Sequence, residues 1–300
     1  MPSIYDSLSQ DNAVSTSLWV MMQKEQTIYR SCNYFDQPSL VTESDRKKMV
    51  SWCYSVIDNC QFDRDNVAMA MQMVDRLLSK QGHPVRYLND RTQYQLLTMA
   101  ALYIAIKFNE QVELGSDSFA AMSCGMWMAK DIEKMELTIL TGLEWRIYGP
   151  TSSQMAYHIL SLILSDVNLE ESTWGFILNE VGFQTEYAVR DFYFSTQRPS
   201  TTALAAILNA LDQVDSQDCQ NVLHAFLFVN DNNFATVHDL FVAKERLKHL
   251  VDIDVPMEEE VSVSKTSSPA NRRSEKSFDE QRTTNNLPMN SPRTVTYCLR

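Results

Sequence analysis

A chain of 300 residues with 44% hydrophobic content has enough material for one large core or two ordinary ones, so a small stapled scaffold is excluded. Seven glycines in all are too few for architectures of tight hairpins or phosphate-cradling loops, which place glycine where φ is positive, and a mostly helical protein is expected. The formal charge of −12 argues against wholesale binding of nucleic acid or an anionic membrane, since both require a basic face that displaces counterions.

Leu18, Met21, Met22, Ile28 and Tyr29 predict one amphipathic helix within residues 1–44, set apart by the polar stretch 37–44. From Asp45 onward, apolar residues recur at three and four: Met49, Trp52, Cys53, Val56, Ile57 and Cys60 line one helical face. Residues 62–65 break that period. They offer an acidic N-cap to a second helix carrying Val67, Met71, Val74, Leu77 and Leu78, expected to stop near Gly82-His83-Pro84. A third helix over residues 91–109 is apolar on nearly every side, as a helix surrounded by others would be. A short helix near 119–127 follows a Gly-Ser-Asp break, and one over about 130–143 turns Ile132, Met135, Ile139 and Leu143 inward. Gly149-Pro150 closes this block of about five helices.

A second block of about five helices opens with Thr151, Ser152 and Ser153 as capping candidates ahead of Met155, Ile159, Leu160 and Ile163. It continues near residues 172–194, 201–214, 218–229 and 236–251. Beyond 252 no apolar period survives and Glu, Ser, Thr, Asn, Arg and Pro dominate, so residues 252–300 are expected to be disordered. That tail holds eight acids and seven bases, which leaves a charge of −11 on residues 1–251. The expected fold class is all-α: two tandem five-helix bundles, 45–150 and 151–251, with an N-terminal helix and a disordered tail.

The six cysteines, Cys32, Cys53, Cys60, Cys124, Cys219 and Cys298, show no CxxC spacing. They read as reduced, mostly buried thiols of an intracellular protein, neither a disulfide framework nor a zinc site. The five histidines form no pair at ligand spacing, and HExxH, GxSxG and phosphate-loop motifs do not occur. No catalytic residue, metal or cofactor is therefore expected. Trp127, Trp145 and the methionine stripes read as core filling. The longest apolar run, about residues 96–106, falls short of a bilayer, and the opening residues resemble neither a secretory signal nor an import leader.

Three charges stand out from the helical stripes. Lys107 is the one charged residue between Thr92 and Asn109; in a last turn it would complement the helix dipole and snorkel to solvent. Glu136 lies within the apolar stripe of its own helix and needs a cation or backbone donors, unless it sits at a rim beside a local lysine. Asp75 follows Met71 by one turn, and Arg46 would reach it if the first two helices are antiparallel.

At this point the string resembles the cyclins. Arg46-Lys-Lys-Met49-Val-Ser-Trp52 is similar to the family's Arg-x-x-Leu-x-x-Trp opening, and Met71-Gln-Met-Val-Asp75-Arg76-Leu-Leu78 to its Tyr-Ile-Asp-Arg-Phe-Leu. Ala105-Ile-Lys107-Phe108-Asn-Glu110 is similar to Ala-Ser-Lys-Phe-Glu-Glu, and Lys134-Met135-Glu136-Leu137 to Arg-Met-Glu. Leu143-Glu-Trp145 and Pro150-Thr151 then stand where the family passes into its second box. The likeness is specific over about residues 45–160 and only architectural to about 251. It implies a non-catalytic regulatory subunit that binds and activates a cyclin-dependent kinase. Lys107, Phe108 and Glu136 would face the kinase and hold its C-helix inward, and Arg46 with Asp75 would be the ion pair joining the first two helices.

The departures are informative. In the family's patch for Arg-x-Leu substrates, Met49, Trp52 and Gln95 match, but Asp45 and Lys48 replace apolar residues and Ser55 replaces an acid. Desolvating Lys48 under an apolar side chain is unfavourable and its charge repels the peptide's arginine, so weak docking of protein substrates is expected. Neither Arg-x-x-Leu nor Lys-Glu-Asn occurs. Ser268-Pro269 and Ser291-Pro292 would suit a proline-directed kinase. A different reading is a two-box scaffold or transcription-associated protein that activates no kinase; Lys107 and Glu136 decide between the two, since a scaffold needs neither. The expected location is the nucleus, the cytoplasm or both.

Overall fold

The computed structural model describes residues 4–27, 29–80, 84–111, 114–163, 170–214 and 236–254. Among these the regular elements are all helical: α1 (Ile4–Glu25), a 3-10 turn (Tyr34–Asp36), α2 (Glu43–Cys60), α3 (Asp65–Ser79), α4 (Pro84–Leu88), α5 (Arg91–Asn109), α6 (Ser116–Ala121), α7 (Ala129–Gly142), α8 (Ser152–Ile163), α9 (Glu171–Arg190), α10 (Phe192–Thr196), α11 (Pro199–Leu211) and α12 (Val237–Asp254). The expected helix at 218–229, the tail beyond Asp254, Cys219, Cys298, Ser268 and Ser291 lie outside the described residues.

Local chemistry sets the helix starts. Thr42 and Asp45 form a reciprocal capping box at the head of α2, satisfying two backbone donors that no helix can pair internally. Asp90 accepts from the amides of Thr92 and Gln93 to start α5. Thr151 accepts from the amide of Gln154 to start α8. For α3 the expected acidic cap is displaced by one residue. Arg64 occupies the cap position in helical conformation without a side-chain cap bond, and Asp63 instead accepts from the amide of Asp65.

Two apolar cores result. The first gathers Met49, Ile57, Val74, Leu77, Leu97, Ile104, Phe119, Ile132 and Ile139. At its centre α5 is buried at every position from 94 to 106, which is why its sequence is apolar all round. The second joins Ile159, Val181, Leu204, Ile207 and Leu247 from α8, α9, α11 and α12. Each such side chain contributes about 1.5–3 kcal/mol when fully removed from water.

The N-terminal helix belongs to the second core, although a polar stretch separates it from the rest in sequence. Leu18 and Met22 of α1 are buried there, and the Glu25 carboxylate accepts from the Ser200 amide at 2.9 Å and the Ser200 hydroxyl at 2.6 Å. This carboxylate caps α11, a favourable place for negative charge. α1 ends at Glu25, so Tyr29 is not part of it.

Three further expectations are corrected. The helix foreseen over 172–194 is broken at Asp191, which is extended (φ −97°, ψ 121°) and caps α10 through the Tyr193 amide. Its carboxylate is also held by Arg246 at 2.6 Å. Pro84 does not only end a helix but starts α4, as its fixed φ permits at a first turn. The described cysteines are not mostly buried: of the four, Cys53 is buried, Cys60 half-buried, and Cys32 and Cys124 exposed.

The bundles meet along α9. Arg64 pairs with Glu186 at 2.7 Å, the Tyr54 hydroxyl donates to the Glu186 carbonyl, and Phe192 enters the first core edge-on to Tyr34 and Phe35. A Cβ at Gly149 would collide with Gln72 and Tyr29, so glycine is needed where the chain crosses between bundles.

Candidate functional site

The C-terminal turn of α5 is where its burial stops: Ile106 is buried, while Lys107, Phe108 and Asn109 are exposed. Two contacts hold this turn. Asn109 donates to the Asn66 side chain at 2.9 Å, and the Glu110 carboxylate accepts from the Asp63 amide and from Asn66 at 2.9 and 2.7 Å. The end of α5 is thus pinned to the start of α3.

Opposite it, α7 buries Ile132, Met135 and Ile139 and places Glu136 at the margin of that stripe. Lys107 Nζ donates to Glu136 Oε1 at 2.6 Å, with the two side chains 44% and 16% exposed. Lys107 also lies 4.9 Å from the Tyr103 ring centre. Burial raises the Tyr103 hydroxyl above its ordinary pKa, with Lys107 opposing.

Apolar surface surrounds this pair. Phe108 is 53% exposed and stacks on Tyr148 at 5.2 Å, over which Lys24 of α1 is placed. Leu137 is exposed, and so is Trp145, at 66%. Trp145 was expected in the core. Instead Glu144 and Trp145 both adopt positive φ, 55° and 61°, in a turn closed by the Trp145 amide donating to the Leu140 carbonyl at 2.8 Å. That turn reverses the chain after Leu143 and sends the indole outward. Bulky residues rarely take such φ values, and strained backbone of this kind gathers at functional sites. Tyr148, stacked on Phe108, is the member of this face that sequence reasoning missed.

Behind it, Arg46 and Asp75 form a buried ion pair at 2.7 Å. Burial alone would lower the Arg46 guanidinium, but the Asp75 carboxylate raises it above its ordinary value. Asp75 also accepts from the Tyr34 hydroxyl at 2.6 Å. Burial, then the Asp75 charge, pushes that phenol well up. Tyr34 sits in a stretch with no helical period, so nothing in the sequence marked it.

Met49, Trp52 and Gln95 lie elsewhere, on α2 and α5, and all three are buried. Beside them Asp45 is buried as well and is held by Arg91 at 3.3 Å and Lys48 at 3.8 Å. An apolar peptide side chain there would meet charge. Among the described residues no group of three or more His, Cys, Asp or Glu is placed to hold a metal ion, and no helix is long and apolar enough to cross a membrane.

An ion pair flanked by exposed Phe108, Leu137 and Tyr148 is a surface suited to binding another macromolecule. Residues 16–148 match the family described as cyclin, N-terminal domain. The G2/mitotic-specific cyclin-A1 of Caenorhabditis elegans is 26% identical over 65% of this chain. The human G1/S-specific cyclin-D1 is 23% identical over 69%. The match spans 37% of the worm protein's length and 67% of the human one's. The crystal structure of a viral cyclin from herpesvirus saimiri superposes with a TM-score of 0.59 at 14% identity, covering 81% of this chain and 96% of the viral one. The match across α1 to α7, the cyclin relatives and the shared fold lead to one conclusion: residues 16–148 are similar to the cyclin N-terminal domain, and the described chain has the fold of a solved cyclin.

Proposed function

We propose that this protein is the regulatory subunit of a cyclin-dependent protein kinase, active in cell-cycle control, and that it binds the kinase through the face formed by Lys107, Phe108 and Glu136. It carries out no chemistry itself. Its role is to hold the kinase C-helix in the active position, so that the helix glutamate pairs with the ATP-binding lysine and the activation segment opens. The observation that carries this reading is the 2.6 Å Lys107–Glu136 couple set in exposed apolar surface. Once covered by a partner, each charged group must be matched by donors or acceptors on that partner, because an unpaired one is costly.

The cyclin relatives support this reading, which requires a location in the nucleus or cytoplasm. Arg46 and Asp75 have a supporting role: they fix α2 against α3, and α3 packs on α5, which carries Lys107. Substrate docking through Met49, Trp52 and Gln95 would be weak, and Ser268 and Ser291 would be targets of a proline-directed kinase.

The test is co-purification with a cyclin-dependent kinase and assay of its phosphotransfer. Lys107→Glu and Glu136→Lys should each abolish activation. A variant that binds and activates as well as wild type would defeat the reading.

A further inference from the structure

A cavity on the first bundle has the make-up of a receptor for an acid. It measures about 140 Å³ between α4, the start of α5 and the chain leading into α7, with Arg86, Gln93, Leu96, Trp127, Lys134 and Met135 among its lining. It is separate from the Lys107 face: Gln93 and Lys107 are fourteen residues apart on α5, about 21 Å at the helical rise.

Three observations bear on its occupant. The first is the indole of Trp127, whose Nε1 is buried and has no hydrogen-bond acceptor among the described residues. A buried donor without an acceptor is rare in native proteins and calls for an explanation. The second is charge. Arg86 and Lys134 flank the cavity and neither forms an ion pair among the described residues. The only carboxylate in the lining, Asp131, is already engaged, accepting from the Met128 amide at 2.9 Å to cap α7. The balance is positive, on a chain whose net charge is −12. The third is size and rim. A volume of about 140 Å³ has room for a side chain, and Tyr87, Leu96 and Met135 supply apolar wall beside the polar groups.

We propose that this cavity receives an acidic side chain, a glutamate or aspartate flanked by an apolar residue, from a peptide segment of a partner protein. The carboxylate accepts from the Trp127 indole N–H and lies between Arg86 and Lys134, and the neighbouring apolar residue covers Leu96 and Met135. Charge-assisted hydrogen bonds of this kind are stronger than neutral ones. The site needs no kinase, so it stands or falls apart from the activation reading.

The test uses the full chain, labelled with nitrogen-15, and follows the indole resonance of Trp127, assigned by its loss in Trp127→Phe. The probes are acetyl-Leu-Glu-Glu-Leu-amide, the matched acetyl-Leu-Gln-Gln-Leu-amide, and inorganic phosphate, all at one ionic strength. The glutamate peptide should move the Trp127 resonance saturably. Arg86→Gln and Lys134→Gln, both at exposed positions that leave the fold intact, should each weaken it roughly tenfold, in the range of a lost charged partner. Equal binding of the glutamine peptide, an unmoved indole resonance, or affinity unchanged in Lys134→Gln would overturn the proposal. So would phosphate binding as tightly as the glutamate peptide, which would make the cavity a general anion trap.

Discussion

Arg46 of α2 holds Asp75 of α3 at two points, Nε to Oδ1 at 3.0 Å and Nη2 to Oδ2 at 2.7 Å, while Nη1 of the same guanidinium donates 2.8 Å to the Val189 carbonyl of α9. One side chain therefore ties α2 to α3 and bolts both to the second bundle. The planar guanidinium suits this fork, and lysine would not reproduce it.

Removing one partner leaves the other charge buried and uncompensated. Arg46→Ala or Asp75→Ala should cost about 3–5 kcal/mol, read as a lower urea midpoint. Tyr34→Phe removes one hydrogen bond to the same carboxylate and should cost less, about 1.5–3 kcal/mol. Equal losses in Tyr34→Phe and Arg46→Ala would show that the ion pair has no special weight.

Asp65 gives the protein a pH dependence. Burial pushes its carboxyl up from 3.8 to about 6, with the Thr151 and Gln154 hydrogen bonds opposing. A raised carboxyl disfavours the folded state once it ionises. Below about pH 3 the group is protonated whether the chain is folded or not; as pH rises through 3.8 the unfolded chain loses the proton first and stability falls until pH passes about 6; well above 6 the full penalty applies, about 3 kcal/mol. Asp65→Asn keeps a carbonyl for Thr151 and Gln154. Its advantage over wild type should be small near pH 4 and large near pH 7 in urea unfolding; an equal difference at both pH values would count against the assignment.

Glu25 decides whether α1 stays docked. Burial raises its carboxyl despite the Ser200 donors, so a neutral acceptor suffices there. Glu25→Gln should leave α1 protected from hydrogen exchange, while Glu25→Ala should expose it and cost about 1–3 kcal/mol by orphaning the Ser200 amide. Full protection of α1 in Glu25→Ala would mean that Leu18 and Met22 alone hold it.

Most of the charge of −12 lies ahead of the tail, so the kinase should present a basic face. The association rate should fall as salt is raised, while the dissociation rate changes little. Stopped-flow mixing at low and high ionic strength measures this, and a salt-independent association rate would contradict it.

What could be read in the sequence follows from what is local. α2, α3, α5 and α7 declare themselves by apolar spacing, because burial of a helix face repeats every three to four residues. Lys107 and Glu136 were visible as charges that broke that pattern. Tyr34 was not, since its partner Asp75 is 41 residues away and no period marks it. Nor was the docking of α1, which depends on Glu25 meeting Ser200 across 175 residues. Trp145 misled because an indole ordinarily signals a core, and only the backbone turn of Glu144 and Trp145 shows it facing outward. The break at Asp191 was hidden because the apolar period resumes on its far side, in Phe192 and Phe194.

The most direct measurement is phosphotransfer by the kinase that co-purifies with the full chain, compared between wild type and the charge reversals Lys107→Glu and Glu136→Lys. Because this pair is partly exposed, breaking it should change the stability of the free chain by no more than about 1 kcal/mol. Each reversal should therefore leave a folded protein, as judged by its urea midpoint, that neither retains nor activates the kinase. Folded variants that activate the kinase as fully as wild type would contradict the account.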